Sequence, residues 1–422
     1  MQRFRVEVCS IVVAALLFFV PVSSASERPP AATSKWTRSR IVVSISNSLL
    51  TAAGMQGDVS EALRKSIAGW VNASDLRIET VESDAQNVSP KGLRGDGVNL
   101  ITVASTAENL SLFPKQAASA AAATRIFVDR RGNITEADIV LNPFVKFSTD
   151  GTFGTFDLQA TLTHEIGHLL GLDHSPAWGS VMFEKTAPGF GPAMYSGGRT
   201  SLPEVDAASL RSLYGPKTED VGCCGIVGGR VTGIPLVRKE RNIVVWLEEI
   251  ATGRVVAATS VSENGQFEIA GIREGSYRLR VAGEFGSDMA ASDEADIKIS
   301  VADIVRKDFR LLPENTSIST LLIGSSPQIS KLSATLVRGS STRIFLGGNG
   351  LNSGIAKIEI LGTGIVLGPN DLRFLDYGNS VKVISFELPE SADLADGEYS
   401  LLVEDLKGVR RFIVGALSII GQ

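Results

Sequence analysis

A chain of 422 residues is too long for one hydrophobic core, so roughly two to four domains are expected. Its 41 Lys and Arg stand against 46 Asp and Glu, a formal charge of -5 with no long run of either sign, which argues against a nucleic-acid partner. Three cysteines in the whole chain exclude a disulfide-stapled scaffold.

The N-terminus has the layout of an export signal. Arg3 and Arg5 precede an apolar stretch from Val8 to Val22, and Ser23, Ser24 and Ala25 form a small-residue cleavage site, so residues 1–25 are expected to be removed. A membrane anchor is the competing reading, but a span needs about 20 apolar residues and this run is shorter and interrupted by Pro21. Cleavage would remove Cys9 and leave only the adjacent pair Cys223 and Cys224. Neighbouring cysteines bond to each other only through a strained ring, so free thiols, a redox-sensitive hinge, a tether and an inert linker all stay open. With no later run long enough to span a bilayer, the expected destination is outside the cytoplasm: extracellular, cell-surface or periplasmic.

Residues 26–35 (SERPPAATSK) read as a flexible lead-in, and ordered structure is expected from Trp36. IVVSIS (41–46) reads as a strand. Val59, Leu63, Ile67 and Trp70 then recur at helical spacing behind a capping box of Asp58 and Glu61. Short strands follow in LRIETV, NLITVA, TRIFVD and ADIVLN, and a second helix begins after Asp157, giving an α/β sandwich. Beyond Gly215 the texture changes. Residues 216–225 read as a linker, 226–312 as a small β-sandwich and 313–422 as a second one, because alternating strands and Gly-rich turns replace helical periodicity.

The chemistry concentrates in HEIGHLLGLDHS. His164 and His168 lie four residues apart on a helix, so both imidazoles leave one face and can share an ion. Gly171 can take the positive φ that ends the helix and turns the chain back, bringing His174 to the same metal. Three neutral nitrogens suit one catalytic zinc with an open position for water. Glu165 is placed as the general base: it takes a proton from that water and passes it to the leaving amine. A five-residue HExxH alone can be chance. Here the pattern runs over eleven residues and contains every histidine of the chain, 3 in all, which packing or solvation would not require.

Met182 follows His174 by eight residues, and at this point the sequence resembles the metzincins, whose Met-turn lies beneath the zinc site. Met194 is a weaker rival for that place. Within the group, residues 36–215 resemble a matrixin, the matrix-metalloproteinase type of catalytic domain. The resemblance rests on the opening Trp36, the first helix, GDGVNLITVA, ITEADIVLN, the zinc helix with its trailing HS, and the closing LPEVDAASLRSLYG. Astacin-like and serralysin-like enzymes carry Tyr two residues after the Met, where this chain has Glu184. The resemblance implies a secreted zinc endopeptidase acting on protein or peptide substrates.

The departures from that pattern are specific. No prodomain cysteine switch and no histidines for a second zinc are present. Calcium held by oxygen ligands is left open, with Asp129 and Asp138 as candidates. Glu184, Lys185 and Thr186 replace the usual Pro and Tyr of the substrate-pocket wall, so specificity does not carry over. Asp206 matches the second of two acidic positions in the final helix and reads as a structural anchor, while Val205 occupies the first. Residues 226–312 resemble a carboxypeptidase-regulatory-like module, and residues from about 317 onward an immunoglobulin-like IPT/TIG module, whose expected roles are spacing or binding an extracellular ligand. Two other classes compete with the endopeptidase: a non-catalytic adhesin and a zinc hydrolase of non-peptide substrates.

Overall fold

The computed structural model describes residues 34–421, apart from 53–54, 93, 114–119, 153, 185–200, 221, 234–240, 286–287, 327–328, 352–353, 376–381 and 389–393. The export signal at 1–25, nearly all of the lead-in, and Lys185, Thr186 and Met194 lie outside the described residues. Among the described residues no helix is long and apolar enough to cross a membrane.

Strand β1 (Arg40–Ser46) leads to helix α1 (Val59–Asn72), whose N-terminus is capped by Asp58: its carboxylate accepts the Glu61 amide at 2.9 Å. Strands β2 (Arg77–Ser83), β3 (Asn99–Thr102), β4 (Ala122–Val128) and β5 (Ile134–Leu141) complete a five-stranded sheet ordered β2-β1-β3-β5-β4. All pairings are parallel except that of the edge strand β4, which runs antiparallel to β5. Helix α2 (Leu158–Leu169), capped by Asp157 on the Ala160 amide, and helix α1 pack on this sheet around Leu63, Trp70, Leu158, Leu162 and Ile166.

Helix α3 (Glu204–Tyr214) closes this region. Trp36 at the start of this region, Trp70 of α1 and Tyr214 at its end each donate to a backbone carbonyl in or just after α2. The Trp70 indole donates to the Thr163 carbonyl at 2.9 Å and the Trp36 indole to the Leu169 carbonyl at 2.9 Å, while the Tyr214 hydroxyl donates to the Leu170 carbonyl at 2.6 Å. Burying Trp36 and Trp70, each with its indole N–H satisfied, contributes about 1.5–3 kcal/mol of transfer free energy apiece, and with the half-buried Tyr214 they fix the position of α2.

The remainder is all β. Strands β6 (Cys223–Thr232), β7 (Arg241–Glu249), β8 (Arg254–Ser260), β9 (Gln266–Arg273), β10 (Gly275–Phe285) and β11 (Met289–Ile299) form the first β unit. Its two layers are β11-β10-β7-β8 and a sheet centred on β9-β6. Tyr277, Leu279 and Val281 share the buried face, as their alternation predicts. Strands β12 (Thr342–Asn349), β13 (Ile355–Ile360), β14 (Lys382–Leu388), β15 (Gly397–Asp405) and β16 (Arg410–Ile420) build the second unit around its own core.

The two β units are less separate than their sequence texture suggests. Strand β8 pairs with β15, Arg254 opposite Tyr399 and Val255 opposite Glu398, so one ten-stranded sheet runs through both. Glu314 and Asn315, on the far side of the proline that marks the boundary, pair back onto β11. The linker is also shorter than composition indicates, because Cys223 and Gly225 already pair with β9. Cys223 and Cys224 are disulfide-bonded to each other across a cis peptide.

All three regions meet in one apolar cluster. Ala177 and Val205 from the first region, Val244, Trp246 and Val255 from the second, and Leu361, Leu402 and Val414 from the third pack together there. Val205, which stands where the resemblance leads one to expect a carboxylate, is fully buried in this junction. An ionised side chain there would be unpaired in an apolar setting, so the exchange of acid for valine follows from the docked β region.

Candidate metal centre

Helix α2 delivers His164 and His168 from one face, one turn apart. Gly171 then takes φ +92°, and a Cβ at that position would lie 1.9 Å from the Ser34 carbonyl oxygen, so only glycine allows the return that carries His174 back. The three imidazoles converge: their ligating nitrogens lie within 4.8 Å of one another, with Nε2 separations of 3.1 Å for His164 to His168 and 3.2 Å for His168 to His174.

The tautomers follow from the outer partners. His164 Nδ1 sits 2.7 Å from the Val181 carbonyl and His168 Nδ1 2.8 Å from the Leu172 carbonyl. A carbonyl only accepts, so each Nδ1 carries the hydrogen and each Nε2 presents a lone pair. Lone pairs facing each other near 3 Å with no hydrogen between them repel unless a cation binds them. A tetrahedral zinc with bonds of about 2.0–2.1 Å needs ligand nitrogens about 3.3 Å apart, so the residues present fit that ion. Burial keeps His164 neutral, pushed down to about 3, with the neighbouring His168 and His174 acting in the same direction. His174 is exposed at the surface, yet partial desolvation of its ring and the neighbouring His168 still lower it.

Glu165 is nearly fully buried beside this trio. Desolvation raises its proton affinity, opposed by the charge of His168 and by a hydrogen bond from the Thr124 hydroxyl to its Oε2 at 2.5 Å. Thr124 belongs to the edge strand β4 and was not singled out in the sequence, where TRIFVD reads only as a strand.

Met182 lies directly beneath the helix. A Cβ on Gly167, in the middle of HEIGH, would fall 2.2 Å from Met182 Sδ and 2.8 Å from the Trp70 ring, so the glycine makes room for the methionine. The turn carrying Met182 is fastened from α3: Asp206 accepts the Ser180 hydroxyl at 2.5 Å, the Val181 amide at 2.8 Å and the Met182 amide at 3.3 Å. Because the Val181 carbonyl holds His164, Asp206 orients that imidazole through one intervening residue. Burial pushes the Asp206 carboxyl up to about 7 against these hydrogen bonds.

The calcium candidates are engaged elsewhere. Asp129 closes the β4–β5 turn by accepting the Arg131 and Asn133 amides, and Asp138 accepts the Ser89 and Leu100 amides at 2.9 and 3.0 Å. Among the described residues, the histidine trio is the one group of three or more His, Cys, Asp or Glu side chains gathered closely enough for an ion.

Comparison with known proteins agrees with this geometry. The matrixin family model matches residues 35–215. Metalloendoproteinase 5-MMP of Arabidopsis thaliana is 35% identical over 99 residues, which cover 23% of this chain and 25% of that protein. The chain therefore spans about a quarter of the length of that curated relative. Solved structures with some likeness include the mixed-linkage glucan utilization locus protein SGBP-B of Bacteroides ovatus, at 12% identity over 46% of this chain and 42% of the other, TM-score 0.18. The major pilin subunit BcpA of Bacillus cereus has 11% identity over 44% and 66%, also with TM-score 0.18.

Proposed function

Taking residues 35–215 as a matrixin domain followed by a large all-β region, we propose that the protein is a secreted zinc endopeptidase with Glu165 as its general base. The observation that carries this reading is the convergence of three Nε2 lone pairs beside a buried carboxylate. His164, His168 and His174 hold the ion. When bound, zinc supplies Lewis acidity, which lowers the pKa of a water from about 15.7 toward about 7 and polarises a carbonyl.

Glu165 does the proton work. Its burial raises its proton affinity, so the carboxylate accepts a proton from the attacking water and then delivers it to the amine nitrogen as the C–N bond breaks. Thr124 fixes the orientation of the carboxylate for both transfers. Asp206 and the turn at Ser180 to Met182 keep His164 directed inward. The substrates are protein or peptide chains in the extracellular, cell-surface or periplasmic space, and the β region serves as an accessory part.

The test is metal content and cleavage measured on the same preparations. The purified protein should hold about one zinc per chain and cleave an unfolded protein. Glu165→Ala should retain the metal and lose about 10²–10⁴-fold in kcat. Full activity in that variant overturns the mechanism, and zinc binding without hydrolysis of any peptide favours the adhesin reading.

A further inference from the structure

The segment that carries the third histidine does not end in solvent. Trp178 N donates to the Val414 carbonyl at 2.8 Å, Ala177 enters the three-way apolar cluster, and Gly179 approaches so closely that a Cβ there would meet Glu398 at 2.4 Å. The stretch 174–184 is thus laid against the joint β sheet. Between them lies a cleft of about 570 Å³, within the range of ligand-binding cavities.

One wall of this cleft is His174, Pro176, Trp178, Phe183 and Glu184, and His174 belongs at the same time to the metal trio. The opposite wall is sheet. Ser260 of β8, Val244 of β7 and Ala282 of β10 form one cross-strand row, with Asn242 and Glu284 paired in the next row on the same face. Phe412 of β16 adds an aromatic side chain, and the Trp178 and Phe183 rings stand 6.0 Å apart across from it.

We infer that this cleft is an extended substrate subsite, in which the β region grips residues of an unfolded polypeptide several positions away from the bond being cut. The inference rests on the endopeptidase reading above and assigns the β region a direct part in substrate selection. Three observations choose a polypeptide as the occupant. The cleft borders the metal trio at His174, so a chain cut there runs alongside it. Its lining charges balance, Glu184 and Glu284 against Lys331 and Arg411, which suits a neutral backbone better than a charged ligand. It mixes the aromatic faces of Trp178, Phe183 and Phe412 with the polar side chains of Asn242 and Ser260, as a peptide with both apolar and polar groups requires.

The experiment compares a long and a short substrate on the zinc-loaded full chain. The long probe is reduced, carboxymethylated casein, and the short one is a peptide spanning only the immediate neighbours of a bond cut in it. Ser260→Trp and Ala282→Trp place an indole in the cleft; Ser260 is exposed, which protects that variant from misfolding. The expected result is a drop of about tenfold in the ratio of kcat/KM for casein over the peptide. In a Glu165→Ala background, the Kd for casein, read by fluorescence anisotropy, should rise by a similar factor. An unchanged ratio and an unchanged Kd in both tryptophan variants overturn the subsite. Absence of any hydrolysis by the wild type overturns the endopeptidase reading instead, and the binding measurement then decides the cleft on its own.

Discussion

His164 and His174 are held in different ways, although both belong to one converging histidine trio. His164 is buried in α2, its Nδ1 fixed by the Val181 carbonyl and its surroundings by α1, α3 and the sheet of the first region. His174 is exposed, and the residues after it are fastened to strands that lie more than two hundred positions further along the chain. The surroundings of His164 therefore come from the first region alone, while the segment that follows His174 is docked on the β region.

That contrast can be broken most directly at the junction. Val205→Glu would bury an unpaired carboxylate in the three-way cluster, at a cost of about 3–5 kcal/mol, and should loosen the β region while leaving α2 intact. Calorimetry should show a lowered or split transition, and zinc affinity should fall by about 10–100-fold, the usual loss when the support of a ligand is removed. A single unshifted transition would mean that the β region does not depend on this cluster.

A second test sharpens the other side. Asp206 fastens the turn behind His164, and its carboxyl is raised from the ordinary 3.8 to about 7 by burial. Because the folded value lies above the unfolded one, its favourable contribution is complete below about pH 3.8 and is lost as pH rises through about 7. Urea unfolding of the zinc-free protein should therefore show a stability loss on the order of a few kcal/mol across that window, and Asp206→Asn should remove that share of the slope. Asp138, also raised to about 7 by burial, contributes with the same sign, so the difference between wild type and variant is the quantity to read. Equal slopes would place the burden on the other raised carboxyls, Asp138, Glu165 and Glu248.

The smallest effect is expected at Thr124. Removing its hydroxyl in Thr124→Val costs one hydrogen bond to a charged group, about 1.5–3 kcal/mol at most, and should lower kcat by roughly an order of magnitude. KM and zinc content should hold, and Thr124→Ser should restore the rate. A change in KM with kcat intact would show that Thr124 contacts substrate and does not position Glu165.

Much of the first region was legible from local pattern. The helix caps at Asp58 and Asp157, the strand segments, and the glycine that ends α2 depend on residues close in sequence, and each was read where it stands. The convergence of the histidine trio was legible for the same reason: two of them sit one turn apart and the third is six residues on. Thr124 was not, because a threonine in an edge strand carries no signal until the sheet brings it to Glu165. Val205 was visible only as a departure, and the docked strands supply its cause.

The sequence alone determined the three histidines that converge, the order of an α/β domain followed by β units, and the glycines that permit the turns. The tertiary structure decided that the two β units share one sheet, that they meet the first region at Ala177 and Val205, and that a cleft opens from His174 onto β7, β8 and β10. The physical reason is range. Caps, helical periodicity and ligand spacing act over a few residues, whereas sheet pairing and apolar docking join positions far apart, and no single segment records its distant partner.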